Sequence, residues 1–478
     1  MGAEMSRAAS FSLAIACWAA IYLPALGSLE IKGEEGRRIL PAVTMLETGN
    51  YLVPQVGSEP YFRKPPLVNW LVAASFKLTG YRNEWTARLP SVLCVLFVAL
   101  AFLTVARGSL GANGSVMAAL IWLANFGMIE KGRLIEIEAL YVSLFGLALV
   151  GWLSWWQQRK SGWLTWTVPW VFLGLGILAK GPVHLLFFYS VVIAVLLVAR
   201  EFRQLFSLKH FVGLVIMTGI FAAWAIPYWQ TMAGASVGEN WAVQLTGRLT
   251  ADDFKLHSWL LNIPRGLAYF LPWTLLLPLV IKTKWATDSD RRLARALCWG
   301  TAVPFLLVNL LPGALPRYSM PALIPACWLM AMTLSASEMR WRGRVLEPNR
   351  RLRFVIWTAV VAGLLLSTYA VAVVPRLQRR SKVQPIAARI DQLVPNGETL
   401  YALDPDFQPF LFYVRSHLIY VSRLEEVPMS GRYLLVQAER ERELAESPHW
   451  LPLRPQPIER ITDYRNHTVL LARIGQPQ

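Results

Sequence analysis

Long apolar runs separated by short charged connections dominate the chain. Eleven runs approach the ~20 residues that take a helix across a bilayer. They are Ser10–Leu29, Ala87–Ala106, Ser115–Ile129, Ile137–Trp156, Trp163–Leu178, Val183–Ala199, Phe211–Trp229, Gly266–Ile281, Ala294–Leu311, Met320–Ser335 and Phe354–Val374. Two further stretches follow the first run and are too polar or too short to cross. In Arg38–Thr48, Ile39, Val43 and Leu46 recur at helical spacing, with Pro41 placed to open the helix; Leu67–Leu78 follows Pro65 and Pro66. Both predict helices lying flat on the outer leaflet. After Val374 the pattern changes. A helical stripe at Ile386, Ile390 and Leu393 precedes alternating segments at Thr399–Leu403, His417–Val421, Tyr433–Gln437 and Thr468–Ile474, with turn signals at Pro395-Asn-Gly397 and Asp404-Pro-Asp406. The expected architecture is therefore a polytopic α-helical membrane protein. Residues 1–375 supply about eleven transmembrane helices and a first outer loop, 30–86, with interfacial helices; residues 376–478 form a small α/β domain.

Composition narrows the class further. Of 478 residues, 55% are hydrophobic and 16% charged, against roughly 25% charged in soluble chains. An ordinary soluble enzyme, a disordered chain and a fibrous repeat are thereby excluded. Lysine and arginine (47) exceed aspartate and glutamate (30), giving a net charge of +17. The basic residues gather in alternate connections: Arg159/Lys160; Arg200/Arg203/Lys209; Lys282/Lys284/Arg291/Arg292/Arg295; and Arg340 through Arg353. The positive-inside rule makes these connections cytoplasmic. The N-terminus then lies inside, and the loops beginning near Glu30, Glu130, Lys180, Thr231 and Pro312 face outward. Arg376, Arg379 and Arg380 fall on the outer side, but long translocated segments escape the rule. There is no zinc-finger spacing and no basic stretch interleaved with aromatics, so membrane lipids rather than nucleic acid are the expected partners of the charge. Cys17, Cys94, Cys298 and Cys327 sit in apolar segments and read as buried thiols.

The outward loops hold the candidate chemistry. Glu34-Glu35-Gly36-Arg37-Arg38 follows the first run, and a solvated loop is an equal reading of it. Tyr61-Phe-Arg-Lys64-Pro-Pro66 puts two cations before a helix start, a natural phosphate site or a lipid-headgroup anchor. In Glu130–Glu138, the Glu138 carboxylate enters a run of hydrocarbon, which marks a functional or paired group. Arg133 and Glu138 are about one and a half helical turns apart and need not pair. Lys180 in a tight turn, Arg317 before Tyr318, and a lone His257 complete the set. No second His or Cys stands at metal spacing, although paired acids near a phosphate site could hold a divalent cation.

In this order the motifs resemble the C-type integral-membrane glycosyltransferases that use polyprenyl-phosphate sugars, among them protein O-mannosyltransferases and the bacterial enzymes that transfer aminoarabinose to lipid A. The matching stretches are Glu34–Arg37, Met45–Pro54, Glu59–Leu67, Arg133 to Glu138, Leu178–Pro182, His257 with Phe270-Leu-Pro-Trp273, and Arg317-Tyr318 with Pro321 and Pro325. They run through about Ile31–Pro325. The resemblance implies a polyprenyl-phosphate-linked sugar as donor and a lipid, protein or glycan as acceptor, meeting at the outer face of a bacterial inner membrane, with direct displacement inverting the anomeric centre. It implies catalytic roles for Glu34, Glu35 and Glu138, with Glu34 or Glu35 as the base. Arg37, Lys64, Arg133, Lys180 and Arg317 would hold the donor phosphate, and Tyr61, His257 and Tyr318 would contact substrate. Glutamate stands at positions 34 and 138 where the family usually has aspartate. The competing readings are a transporter or flippase of lipid-linked sugars and an oligosaccharide ligase. A carrier would show paired interrupted helices and midplane polar groups, and the sequence has no such internal symmetry.

Overall fold

The computed structural model describes residues 5–474 except 57–58, 61–63, 233–253, 337, 342–343, 404, 406–407, 429, 442–455 and 464. The chain divides into two compact units: residues 1–26, 63–67 and 89–371 in one, and residues 27–62, 68–88 and 372–478 in the other.

The first unit is helical. Seven helices among the described residues are long and apolar enough to cross a membrane: Glu84–Thr104, Ile137–Gln157, Gly162–Ala179, Leu208–Thr231, Asp288–Leu310, Pro316–Ser335 and Pro348–Gln378. A broken pair, Leu256–Ala268 and Trp273–Lys282, bent by 81°, would make an eighth. Arg7–Tyr22 and Val183–Ala199 are shorter apolar helices, and Arg107–Leu123 has 17 residues. The runs that fall short of a full span do so for local reasons. Gly266–Ile281 is interrupted near Pro272, which has no N–H to give the preceding turn. Ser115–Ile129 stops at Leu123 because Asn125 turns out of the helix and caps a new one, its side chain accepting from the Met128 N–H at 2.9 Å. Ser10–Leu29 ends at Tyr22, just before Pro24 and a left-handed Ala25.

Close packing in this unit uses glycine. A Cβ on Gly213 would collide with the carbonyl oxygen of Trp166, and one on Gly174 would lie 2.9 Å from that of Met217, so Gly162–Ala179 and Leu208–Thr231 meet nearly backbone to backbone. Buried indoles find acceptors across helices: Trp18 donates to the Val92 carbonyl at 2.8 Å and Trp122 to that of Val95 at 2.9 Å.

The second unit holds a five-stranded sheet in the spatial order His417–Val421, Thr399–Leu403, Tyr433–Gln437, Thr468–Arg473, Gln456–Thr462. Thr399–Leu403 runs parallel to both of its neighbours, and Thr468–Arg473 runs antiparallel to both of its own. Leu403, Val421, Leu434, Val436 and Leu470 form its core. Gln384–Leu393 is the predicted helix, amphipathic with Ala387 and Ile390 buried. Of the turn predicted at Asp404-Pro-Asp406, only Pro405 lies among the described residues.

The outer-loop helices are present as Gly36–Thr48 and Leu67–Thr79. Pro41 does not open the first of them. A 3-10 turn at Gly33–Glu35 launches the helix at Gly36, which leaves Pro41 in the second turn at the loss of one backbone hydrogen bond. Whereas the sequence pattern groups residues 30–86 with the spanning helices, most of that loop is compact with the tail. Glu30 is one reason. Its carboxylate accepts the backbone N–H groups of Lys382 and Val383 at 2.8 Å and of Gln384 at 3.1 Å, and pairs with Lys32 at 3.1 Å. It thus caps the Gln384–Leu393 helix from a site more than 350 residues earlier.

Burial pushes the Glu30 carboxyl up, but the three N–H groups and Lys32 outweigh it and hold the group below its ordinary 4.5. A carboxyl depressed in the folded state stabilises it fully above the unfolded value and loses that contribution as pH falls through the folded one. Glu30→Gln should therefore destabilise this unit at pH 7 by roughly 1.5–3 kcal/mol. The gap from wild type should close below about pH 4, read as thermal unfolding midpoints in detergent across that range.

Candidate active site

The charges of the first unit converge on Glu138. It lies in the first turn of Ile137–Gln157, a helix whose apolar window is 94% buried. Its Oε1 lies 3.1 Å from the Lys180 ammonium and 3.4 Å from the Arg317 Nε. Lys180 is the residue at which the Gly162–Ala179 helix ends, and Gly181 follows with φ +123°, a conformation that L side chains rarely adopt. That turn delivers the ammonium between two aromatic faces, 5.1 Å from the Tyr141 ring centre and 4.8 Å from that of Tyr318. The rings attract the cation without neutralising it. Arg317 and Tyr318 come from the 3-10 turn Pro316–Ala322 that opens the next helix. An ammonium and a guanidinium thus stand together beside an apolar helix boundary, a pairing of donors that suits a phosphate.

A second carboxylate stands next to the first. Glu136 pairs with Lys131 at 3.1 Å, and Lys131 reaches Glu130 at 3.0 Å. Burial raises the Glu136 carboxyl against the pull of Lys131. Behind the cluster, the backbone N–H of His184 donates to the Tyr141 hydroxyl, and the imidazole lies edge-on to that ring, 4.9 Å away. Arg133 turns elsewhere, its guanidinium donating to the Pro24 carbonyl.

In the second unit the two neighbouring acids differ. Glu35 is buried and gripped from two sides of one guanidinium: Arg88 Nε lies 2.9 Å from Oε1 and Nη2 lies 2.8 Å from Oε2. Arg88 also donates to the Leu29 carbonyl at 2.9 Å. Glu34 is about a third exposed, 3.1 Å from Arg37 and 4.0 Å from Arg38. The helix turn separates them, aiming one carboxylate into the packed interior and the other outward.

Of the residues singled out from sequence, Glu138, Lys180, Arg317 and Tyr318 come together. Glu34 and Arg37 form a pair of their own. Lys64 is half-buried just before the Leu67–Thr79 helix. His257 is exposed on the short helix Leu256–Leu260, and Tyr61 lies outside the described residues. Among the described residues no three His, Cys, Asp or Glu side chains stand close enough to share a metal ion. All four cysteines are free thiols, Cys17 and Cys327 buried and the other two half-buried. Sequence reasoning passed over Arg88, because an arginine just inside an apolar run reads as an interfacial anchor. It also passed over Tyr141, whose place one turn after Glu138 was the available signal.

The chain is a multi-pass helical membrane protein with a small α/β unit, and its fold is that of the C-type membrane glycosyltransferases. Comparison with known proteins points the same way. Residues 63–229 match the family described as Dolichyl-phosphate-mannose-protein mannosyltransferase. The undecaprenyl phosphate-alpha-4-amino-4-deoxy-L-arabinose arabinosyl transferase of Pseudomonas savastanoi pv. phaseolicola is 26% identical over 438 residues, covering 90% of this chain and 77% of that one. A transferase of the same description from Proteus mirabilis is 27% identical over 335 residues, and the match spans 67% of this chain and 58% of the relative. The crystal structure of ArnT from Cupriavidus metallidurans bound to undecaprenyl phosphate superposes with a TM-score of 0.71 at 17% identity, covering 97% of both chains.

The two acids should separate in stability. Removing one partner of a buried pair costs about 3–5 kcal/mol, whereas an exposed pair contributes about 0–1 kcal/mol. Glu35→Ala should therefore lower the melting temperature sharply or abolish folded protein, while Glu34→Ala melts within a degree or two of wild type, as measured by scanning fluorimetry of purified protein.

Proposed function

We propose that the chain transfers a sugar from a polyprenyl-phosphate donor to a lipid acceptor at the outer face of a bacterial inner membrane. The single observation that carries this reading is the Glu138–Lys180–Arg317 cluster at the mouth of the bundle's most buried spanning helix. A phosphate bearing an isoprenoid chain needs cations at the level where headgroup meets hydrocarbon, and relatives described as undecaprenyl-phosphate-dependent transferases support that donor class. The basic residues gathered in alternate connections, all on the opposite side, support the outward orientation of this end.

Breaking the bond between the anomeric carbon and the phosphate oxygen leaves negative charge on the lipid phosphate. Lys180 and Arg317 are positioned to stabilise that growing charge. Glu138 holds the two cations at a fixed spacing and prevents their mutual repulsion, while the Tyr141 and Tyr318 rings keep the ammonium of Lys180 dry and oriented. The acceptor hydroxyl must lose a proton as it attacks, and the resemblance gives that task to an acid in the first outer loop. Glu34 fits the role better than Glu35: its carboxylate is about a third exposed and shares a single nitrogen of Arg37, whereas the buried Glu35 is held by two nitrogens of Arg88. Attack opposite the leaving phosphate inverts the anomeric centre.

The test is transfer of labelled sugar from a synthetic polyprenyl-phosphate donor in proteoliposomes, with mass spectrometry of the lipids from cells with and without the gene to name acceptor and sugar. Glu34→Gln should reduce turnover by about 10²–10⁴-fold, and Lys180→Met by about 10²–10³-fold, both as folded protein. Undiminished transfer by Glu34→Gln would remove it as the base, and undiminished transfer by Lys180→Met would remove the phosphate role of the cluster.

A further inference from the structure

The second unit contains a wide groove that none of these roles uses. A cavity of about 980 Å³ opens between the Gln384–Leu393 helix and the segment leading into strand His417–Val421. It adjoins another of about 510 Å³, and the two share Arg82, Phe412, Val414, Arg415, Ser416 and His417. Ligand pockets for single small molecules run about 300–1,000 Å³, so the pair has room for a saccharide of two or more rings.

The groove is mixed in charge by composition, yet its acids are already committed. Asp391 accepts the backbone N–H groups of Arg415 at 3.0 Å and Ser416 at 3.2 Å and the Ser416 hydroxyl at 3.1 Å. Glu84 accepts the Tyr413 hydroxyl at 2.9 Å and the Gln384 amide at 3.4 Å, and Glu47 is paired with Arg82 at 2.9 Å. The side chains of Arg415 and His417, both exposed on the same wall, make no hydrogen bond or ion pair to the described residues. What the groove offers a ligand is therefore a guanidinium with no partner among the described residues, an imidazole, the amides of Gln392 and Asn396, and the Phe412 ring, which is held in place by Phe76 at 6.4 Å and Tyr413 at 5.2 Å. Planar amides and an aromatic wall suit sugar hydroxyls and sugar faces, and a guanidinium suits a phosphate or carboxylate through two parallel hydrogen bonds. The Asp391 bonds fix the backbone carrying Arg415 before any ligand arrives, which lowers the ordering cost of binding.

We infer that the groove lined by Arg415, His417, Phe412 and Gln392 is a binding site for an anionic saccharide. As the docking place of a glycan-bearing acceptor it rests on the transferase reading; as a binding site it does not.

The experiment is calorimetric titration of the purified full-length protein in detergent with four probes: maltose 1-phosphate, maltobionate, maltose and inorganic phosphate. At least one of the two anionic disaccharides should bind tenfold or more tightly than maltose and than inorganic phosphate, and the better of them identifies the anion. Arg415→Gln should weaken that binding at least tenfold and remove the preference over maltose. In the transfer assay it should raise the acceptor KM with kcat unchanged. Equal binding of maltose and the anionic probes, no binding of any disaccharide, or an Arg415→Gln protein that binds like wild type would each overturn the site. Saccharide binding in a protein that performs no transfer would leave the groove standing and remove only the transferase reading.

Discussion

A carboxylate on a helix that enters hydrocarbon has to be neutralised where it stands. Glu138 opens Ile137–Gln157, the most enclosed of the spanning helices at 94% buried, whereas Pro348–Gln378 at 17% and Leu208–Thr231 at 22% turn most of their surface outward. An ion this deep would cost several kcal/mol unpaired, so the surrounding elements end where they can reach it. The Gly162–Ala179 helix stops at Lys180, and the Pro316–Ala322 turn presents Arg317 before the next helix begins. The helix termini and the charge cluster are one arrangement, in which two cations from separate elements meet on one carboxylate.

The same physics explains which parts of the fold could be read from sequence. Four strands of the sheet were legible from their short apolar patterns: His417–Val421 alternates exposed and half-buried positions before Val421, and Tyr433–Gln437 is a run buried on both faces. Gln456–Thr462 was not. It is an edge strand pairing only with Thr468–Arg473, mostly exposed, carrying Glu459 and Arg460, with Pro457 beside a register shift. Edge strands are protected from aggregation by such residues, and those residues erase the strand signal. Helix limits differ from the apolar runs for a related reason: length and apolarity report burial, while helix ends are set by single groups such as Asn125 and Pro272.

The candidate site was legible as a list of charges on one side of the membrane, and its pairing was not. Glu138, Lys180 and Arg317 are up to 179 positions apart, and nothing in their spacing says that they meet. Glu34 and Glu35 are adjacent and chemically identical, so only their environment distinguishes them. The partner of Glu35, Arg88, sits 53 residues away at the start of a spanning helix. Local pattern shows that charge is present; the identity of a buried partner is a property of the folded chain.

The cap that Glu30 places on the Gln384–Leu393 helix has a consequence for biosynthesis. The two halves of that contact leave the ribosome about 350 residues apart, a delay of tens of seconds at ordinary elongation rates. Throughout that interval the first loop has emerged without the segment it caps, while every intervening helix is being threaded into the bilayer. Closure of the contact becomes a late event that waits until the chain has been made through the Gln384–Leu393 helix. A chain cut short before Lys382 would keep the Glu30 carboxylate but lack all three backbone N–H groups that it accepts.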